Sequence, residues 1–426
     1  MRRLLFPIAF LMLWGYSSRG ANAEDVIIIR AARLLDVETG KLISPAVVVV
    51  KGERIEGVSA AAIPPGARAI DLGDVTILPG FIDAHTHLTL DFDKDWLLHQ
   101  VTEGGPELAL RGARNARLTL AAGFTTVRDL GSAYFADTAL AKAIDAGWVE
   151  GPRMIASGYA IGITGGHADS WTGFAPGILE VGPKQGIADG VDGMLEAVRY
   201  QMKHGARVIK IMATAGVLSF EGSYSNQQLS DEELRTVIEE AKRQGVKVAA
   251  HAHGAEGILA AVRAGVSSVE HGTGVSDETL ALMVQKGIYL VPTAYVSSGG
   301  ISQEGLTPEQ LAKAKAADAA AQESHRRAFR SGVKIAFGTD AGCFPHGQNT
   351  KEFVTLVEWG MRPLDAIRAA TLNAADLLGV SDRGVIAPGK LADIIAVPGD
   401  PLEDVMRLQQ VCFVMKGGVV VKTPVH

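Results

Sequence analysis

Pro79-Gly80-Phe81-Ile82-Asp83-Ala84-His85-Thr86-His87-Leu88 is the stretch on which the reading of this chain turns. It has the form of a strand that ends in two histidines. Alternate side chains of a strand share a face, so His85 and His87 aim the same way. The residues around and before them, Val75, Ile77, Leu78, Phe81 and Ile82, are too apolar for a strand with a wet face. A parallel strand covered on both sides has this composition. Two histidines at a buried strand end need partners; hydrogen bonds would serve, and so would a metal ion.

The 426 residues exceed one ordinary domain and fit a large barrel plus a smaller module. A hydrophobic fraction of 47% with 21% charged residues describes a globular chain rather than a disordered one. The net charge of -6 gives no reason to expect nucleic acid as a partner. Arg2 and Arg3, the apolar run Leu4 to Trp14 and the closing Ala21-Asn22-Ala23 have the n-region, h-region and cleavage site of a secretory signal peptide. The apolar run falls short of the about 20 residues that span a bilayer. Residues 1–23 are therefore expected to be removed, leaving an exported protein, periplasmic or secreted, with no membrane attachment. Only Cys343 and Cys412 are present, so no disulfide framework is expected, and whether the two pair cannot be read from spacing.

Outside the opening stretch two textures appear. Val26 to Ile29, Ala46 to Val50 and Ile55 to Val58 are short β-branched runs between Gly-, Pro- and Asp-rich turns, among them Ile63-Pro64-Pro65-Gly66. Ala392 to Val397, Val411 to Met415 and Val419 to Val421, the last two joined at Lys416-Gly417-Gly418, repeat that texture at the other end. One small β-sandwich built from both ends, residues 24–76 and 385–426, is expected. In between, strand-like runs alternate with amphipathic helical stretches: Thr125 to Asp129, Arg153 to Ala156, Val208 to Met212, Lys247 to His253, Ser267 to His271, Tyr289 to Thr293 and Ile335 to Asp340. Ser230-Asp231-Glu232-Glu233 opens one helix with a capping box. With the opening strand these make eight β/α units, so the fold class is α/β, a (β/α)8 TIM barrel over residues 77–384.

Active sites of that fold lie at the C-terminal strand ends. If the opening strand ends in metal ligands, other strands should end in ligand-type residues, and they do: Lys210 on strand four, His251 and His253 on strand five, Glu270 and His271 on strand six, Asp340 on strand eight. His251 and His253 share parity, so alternation cannot choose between them. Glu270 points opposite to His271 by the same rule and reads as a supporting acid. Asp83 has the parity of His85 but lies deeper.

This pattern resembles the amidohydrolase superfamily. Pro79 to His87, Lys210-Ile211-Met212-Ala213-Thr214, Phe344-Pro345-His346-Gly347 and Gly389-Lys390-Leu391-Ala392-Asp393 resemble its dipeptidase branch, the metal-dependent prolidases and Xaa-Arg/Lys carboxypeptidases. The resemblance implies two divalent metals, with zinc as the default for mixed N/O ligands. His85, His87 and Asp340 would hold the buried one, His251 and His271 the exposed one. Lys210 would bridge both as a carbon dioxide-derived carbamate, since a buried amine can lose its proton and be converted to an anionic donor. Two such metals can bind a hydroxide between them and polarise a carbonyl, with Asp340 passing the proton to the leaving amine. His167 resembles a loop histidine that reaches the substrate carbonyl, and is the second catalytic candidate. His253, Tyr224, Arg128 and His346 are candidate substrate contacts.

The function expected is amide hydrolysis of a small molecule, a dipeptide or an N-acyl amino acid. Alternatives on the same scaffold are an amidase that detoxifies an N-acyl aromatic amino acid such as a mycotoxin, and an imidazolonepropionase-like cyclic amidohydrolase. The latter uses one metal and lacks the bridging lysine. A non-catalytic barrel scaffold would have no need to keep all the ligands. Neither a Gly-x-Ser-x-Gly elbow nor a suitably placed catalytic cysteine is present for a covalent route. Assembly as a homo-oligomer is a further expectation from the resemblance.

Overall fold

The computed structural model describes residues 26–59, 67–219, 222–301 and 306–424. The expected signal peptide and the Ile63 to Gly66 turn lie outside the described residues. The core is a set of parallel strands in chain order, here numbered β1 (Phe81–Thr86), β2 (Phe124–Asp129), β3 (Arg153–Ala156), β4 (Val208–Met212), β5 (Lys247–Ala252), β6 (Ser268–His271), β7 (Tyr289–Val291) and β8 (Lys334–Ile335). They form a three-stranded arc, β3-β2-β1, and a five-stranded arc, β4-β5-β6-β7-β8. The arcs meet at both edges. Beyond β3, Ile161 donates to Lys210 O at 2.8 Å and accepts from Met212 N at 2.9 Å. Beyond β8, the Asp340 amide donates to His85 O at 2.8 Å and the His87 amide to Ala341 O at 2.8 Å. These junctions place Asp340 beside His85 of β1 and His87 just past its end.

Helices Gly105–Ala121, Gly190–Lys203, Asp231–Arg243, Ala255–Ala264, Asp277–Lys286 and Pro308–Ser331 follow the strands and cover them. The expected capping box forms: Ser230 Oγ accepts from Glu233 N at 3.3 Å and Glu233 Oε2 accepts from Ser230 N at 2.8 Å. Strand residues are almost wholly buried on both faces, as their apolar composition requires. Among the described residues, no helix is long and apolar enough to cross a membrane.

The two chain ends build two further sheets. One joins Arg54–Val58, Ala46–Lys51, Val26–Ala31 and Arg68–Asp71. The other joins Val419–Lys422, Phe413–Lys416, Ile394–Pro398, Val75–Pro79, Arg33–Asp36 and Lys41–Ile43. Ile29, Val48, Val50 and Ile55 of the first share one apolar cluster with Leu34, Ile77, Ile394, Phe413 and Met415 of the second.

The apolar run that leads into His85 and His87 holds two strands. Val75–Pro79 pairs with Ile394–Pro398 in a terminal sheet, and a new strand begins at Phe81 in the parallel set. The break is at Gly80, whose amide donates to Asp393 O at 2.8 Å. A Cβ there would lie 2.3 Å from Thr125 Oγ1, so the close approach to β2 needs glycine. An apolar run cannot show such a handover, because both sheets want the same residues.

Candidate metal centre

The strand ends bring His85, His87, Lys210, His251, His253, His271 and Asp340 together. Asp340 Oδ1 lies 3.4 Å from His85 Nε2 and 3.2 Å from His87 Nε2. Lys210 Nζ lies 3.3 Å from His85 Nε2. The ring of His271 is 5.0 Å from that of His85 and 4.6 Å from that of His251. Ligand atoms of His85, His271 and Asp340 all lie within 4.8 Å of one another, as do those of His251, His253 and His271. Both sets have the chemistry of a divalent cation site, imidazole with carboxylate in one and imidazole alone in the other.

Tautomers follow from what the far side of each ring touches. His85 Nδ1 is 2.9 Å from Glu270 Oε2. A carboxylate only accepts, so Nδ1 carries the proton and Nε2 faces the centre. His87 Nδ1 donates to Gly131 O at 3.2 Å, which turns Nε2 toward Asp340 Oδ1. His271 Nδ1 and His253 Nδ1 lie 2.8 Å from Thr293 Oγ1 and 2.7 Å from Thr273 Oγ1. His251 is turned round: its Nε2 donates to Ala215 O at 3.3 Å, so its Nδ1 is the nitrogen left to bind.

The electrostatics suit ligation. Burial, and then the nearby Lys210 charge, bring the His85 pKa down to about 4, so the ring is neutral at pH 7. Burial, with its neighbouring histidines, holds His251 well below the usual range. Burial alone would raise the Asp340 carboxyl, but His85, His87 and His271 hold it well below the carboxylate range, so it is ionised. Lys210 is 1% exposed; burial brings it down to about 8 against the pull of Glu270 and Asp340. A deprotonated amine is therefore within reach near neutral pH.

Three non-glycine residues at these strand ends have positive φ: His271 at 68°, Thr293 at 46° and Asp340 at 60°. Such strain persists where surrounding structure dictates it, and it gathers at functional sites. At His271 it corrects the sequence expectation. Strict alternation would send Glu270 and His271 to opposite faces, yet both reach the His85 ring. The positive φ that ends β6 breaks the alternation.

Other expected contacts are placed as follows. His167, in the loop after β3, puts its ring 4.4 Å from that of His251. Half-buried Tyr224 meets the His253 ring edge-on at 5.7 Å. Arg128 is 2% exposed, donates to Ser268 Oγ at 3.0 Å and to Glu270 Oε1 at 2.8 Å, and so anchors Glu270 inside the strand set. His346 donates from Nε2 to Leu90 O at 3.0 Å and is buried there. Asp83 accepts from Thr339 Oγ1 at 2.6 Å and Asn349 Nδ2 at 2.8 Å, tying β1 to the turn before Asp340. The two cysteines are free, and buried Cys343 directs its thiol at Asp340 Oδ2, 3.6 Å away. Sequence reading missed Gly131, Thr273 and Thr293 as ring supports. Spacing carries no signal for a hydroxyl or carbonyl from a neighbouring strand.

Parallel strands ending in a histidine–lysine–aspartate cluster, together with the family and relatives that follow, mark a hydrolase acting on C–N bonds. The chain belongs to the amidohydrolase family, whose pattern matches residues 76–423. It is 38% identical over 375 residues to the ochratoxinase of Aspergillus niger, which covers 82% of this chain and 76% of that protein. Among solved structures, a Xaa-Pro dipeptidase with methionine bound in its active site superposes with a TM-score of 0.88 at 38% identity, covering 93% of this chain and 99% of that one. A prolidase in complex with N-methylphosphonate-L-proline gives a TM-score of 0.85 at 34% identity, covering 93% and 100%.

Proposed function

We propose that this protein is an exported, binuclear metal-dependent hydrolase that cleaves the amide bond of dipeptides or N-acyl amino acids and releases the C-terminal amino acid. The carrying observation is Lys210, a buried amine 3.3 Å from His85 Nε2, close to His85, His251 and His271, which burial holds neutral, and to the ionised Asp340. His85, His87 and Asp340 would hold one divalent cation, His251 and His271 the other, with Lys210 as a carbamate between them and zinc as the expected metal. Two cations there would supply Lewis acidity for a water and for the scissile carbonyl. Asp340 takes a proton from the attacking water and returns it to the departing amine. His167 faces the substrate carbonyl, and Tyr224 and His253 border the pocket.

We read the two arcs as one closed (β/α)8 barrel that begins at Phe81 rather than at residue 77, carrying a split β-sandwich from both chain ends whose first part runs on through Pro79. Cleavage after Ala23 would deliver the enzyme outside the cytoplasm, and Edman sequencing of the secreted chain should begin at Glu24.

A second reading narrows the substrate to an N-acyl aromatic amino acid, such as a mycotoxin amide. Identity to the ochratoxinase supports it, as does an apolar cluster next to Asp340: Phe92, Ile301 and Cys343, packed by Trp96, Leu218 and Val296. Metal content by mass spectrometry should approach two per chain in the wild type. Lys210→Ala should lose metal and activity together; one metal per chain, or full activity in that variant, overturns the binuclear reading. A library of dipeptides and N-acyl phenylalanines then separates the two substrate classes.

A further inference from the structure

Behind His167 lies a small device that the mechanism above does not use. The residue sits on the loop after β3, but the groups around it come from the loop after β4. Its backbone amide donates to Gln228 Oε1 at 3.0 Å. Its Nδ1 lies 2.6 Å from Ser219 Oγ, and that same Oγ accepts from the Gly216 amide at 3.0 Å. The ring rests on Gly216 itself: a Cβ there would fall 2.2 Å from His167 Cε1 and 2.4 Å from Nε2. Helix Pro308–Ser331 holds the serine's own backbone, with Gln310 Nε2 donating to Leu218 O at 2.7 Å and Lys313 Nζ to Ser219 O at 2.5 Å.

The direction of the Ser219–His167 bond can be argued. A serine hydroxyl has one proton to give and two lone pairs. Gly216 uses one lone pair. Ser219 is 7% exposed, and among the described residues its hydroxyl has no acceptor other than His167 Nδ1. The hydroxyl proton therefore goes to Nδ1, and the ring's own proton sits on Nε2. That nitrogen has no partner among the described residues, and the ring lies against His251 at the centre.

We propose that Ser219 is a positioning residue that locks His167 in the Nε2–H tautomer, so that a hydrogen-bond donor, not an acceptor, faces the substrate. The catalytic consequence rests on reading His167 as the group that meets the substrate carbonyl; the lock itself does not. With Nδ1 protonated instead, Nε2 would present a lone pair to a carbonyl oxygen and repel it. Gly216 keeps the ring seated, and the helix fixes the height of the serine.

The test uses the full-length zinc-loaded protein labelled with 15N-histidine, as wild type, S219A, S219T and H167N. Long-range 15N–1H correlation reads which ring nitrogen carries the proton, and the signal missing from H167N assigns His167. The wild type and S219T should show Nε2–H. S219A should show a mixture or Nδ1–H, with kcat down about tenfold, as loss of one hydrogen bond allows, and KM little changed. An Nδ1–H signal in the wild type, or an unchanged tautomer in S219A, overturns the lock. If the tautomer follows Ser219 while H167N turns over substrate at the wild-type rate, the lock is upheld and the reading of His167 as the carbonyl's partner fails.

Discussion

Single side chains decide how many ions the centre can hold, because each histidine offers one nitrogen and the other must be occupied. His271 is kept in orientation by Thr293, and His253 by Thr273, in near-identical geometry. If His271 is a ligand and His253 a neighbour of the substrate, the two threonines should differ in effect. T293V should weaken metal affinity about tenfold, as loss of a ligand's outer hydrogen bond does, while T273V should leave it unchanged. H253A should keep both ions and H251A should lose one. Competition with a chromophoric chelator measures all four. Equal losses in T293V and T273V would place His253 among the ligands.

Elements are held in place away from the centre by a different chemistry. Helix Asp231–Arg243 is tied to helix Gly190–Lys203 through Glu240, which accepts from Arg199 Nε at 2.9 Å and from Arg243 Nη2 at 2.6 Å. The hydrogen bonds from Arg199 and then Arg243 lower its pKa to about 2 from an ordinary 4.5. The folded protein thus holds fewer protons than the unfolded one between these values, so stability rises with pH there. The contribution is complete above about pH 4.5 and is lost as the pH falls toward 2. Both arginines are largely exposed, so solvent screens the pair and its contribution is small. E240Q should lower the urea midpoint at pH 7 and converge on wild type near pH 2. A constant gap across that range would mean that packing, not charge, carries the effect.

For the whole molecule, the proposed ligands come from β1, β4, β5, β6 and the turn after β8, so ions bound there would tie both arcs together. Binding only to the folded state stabilises it by about 4 kcal/mol when free metal is a thousandfold above Kd. Chelation should therefore lower the thermal midpoint, and re-addition of zinc should restore it. No shift in Tm on stripping would argue against ligands spread across the strand set. The mixed character of the site also argues for ions: buried histidines, a lysine and a carboxylate without a cation leave much polar surface turned inward.

The sequence by itself determined the parallel α/β pattern, the β texture of both ends and most of the candidate ligands. Each rests on a local regularity: alternation, apolar runs, or a polar residue where a buried strand stops. The positions of His85, His87, Lys210, His251, His271 and Asp340 could be read because strand ends converge in this architecture whatever the loops do. Tertiary structure decided what has no local signature. It split the apolar run before His85 at Gly80, since apolar residues serve two sheets equally well. It turned Glu270 and His271 to the same ring through a positive φ that alternation cannot show. It gave Arg128 and His346 hydrogen bonds with Glu270 and Leu90, groups distant in sequence. It chose each ring nitrogen, because a tautomer depends on the atom behind the ring, and that atom comes from another strand.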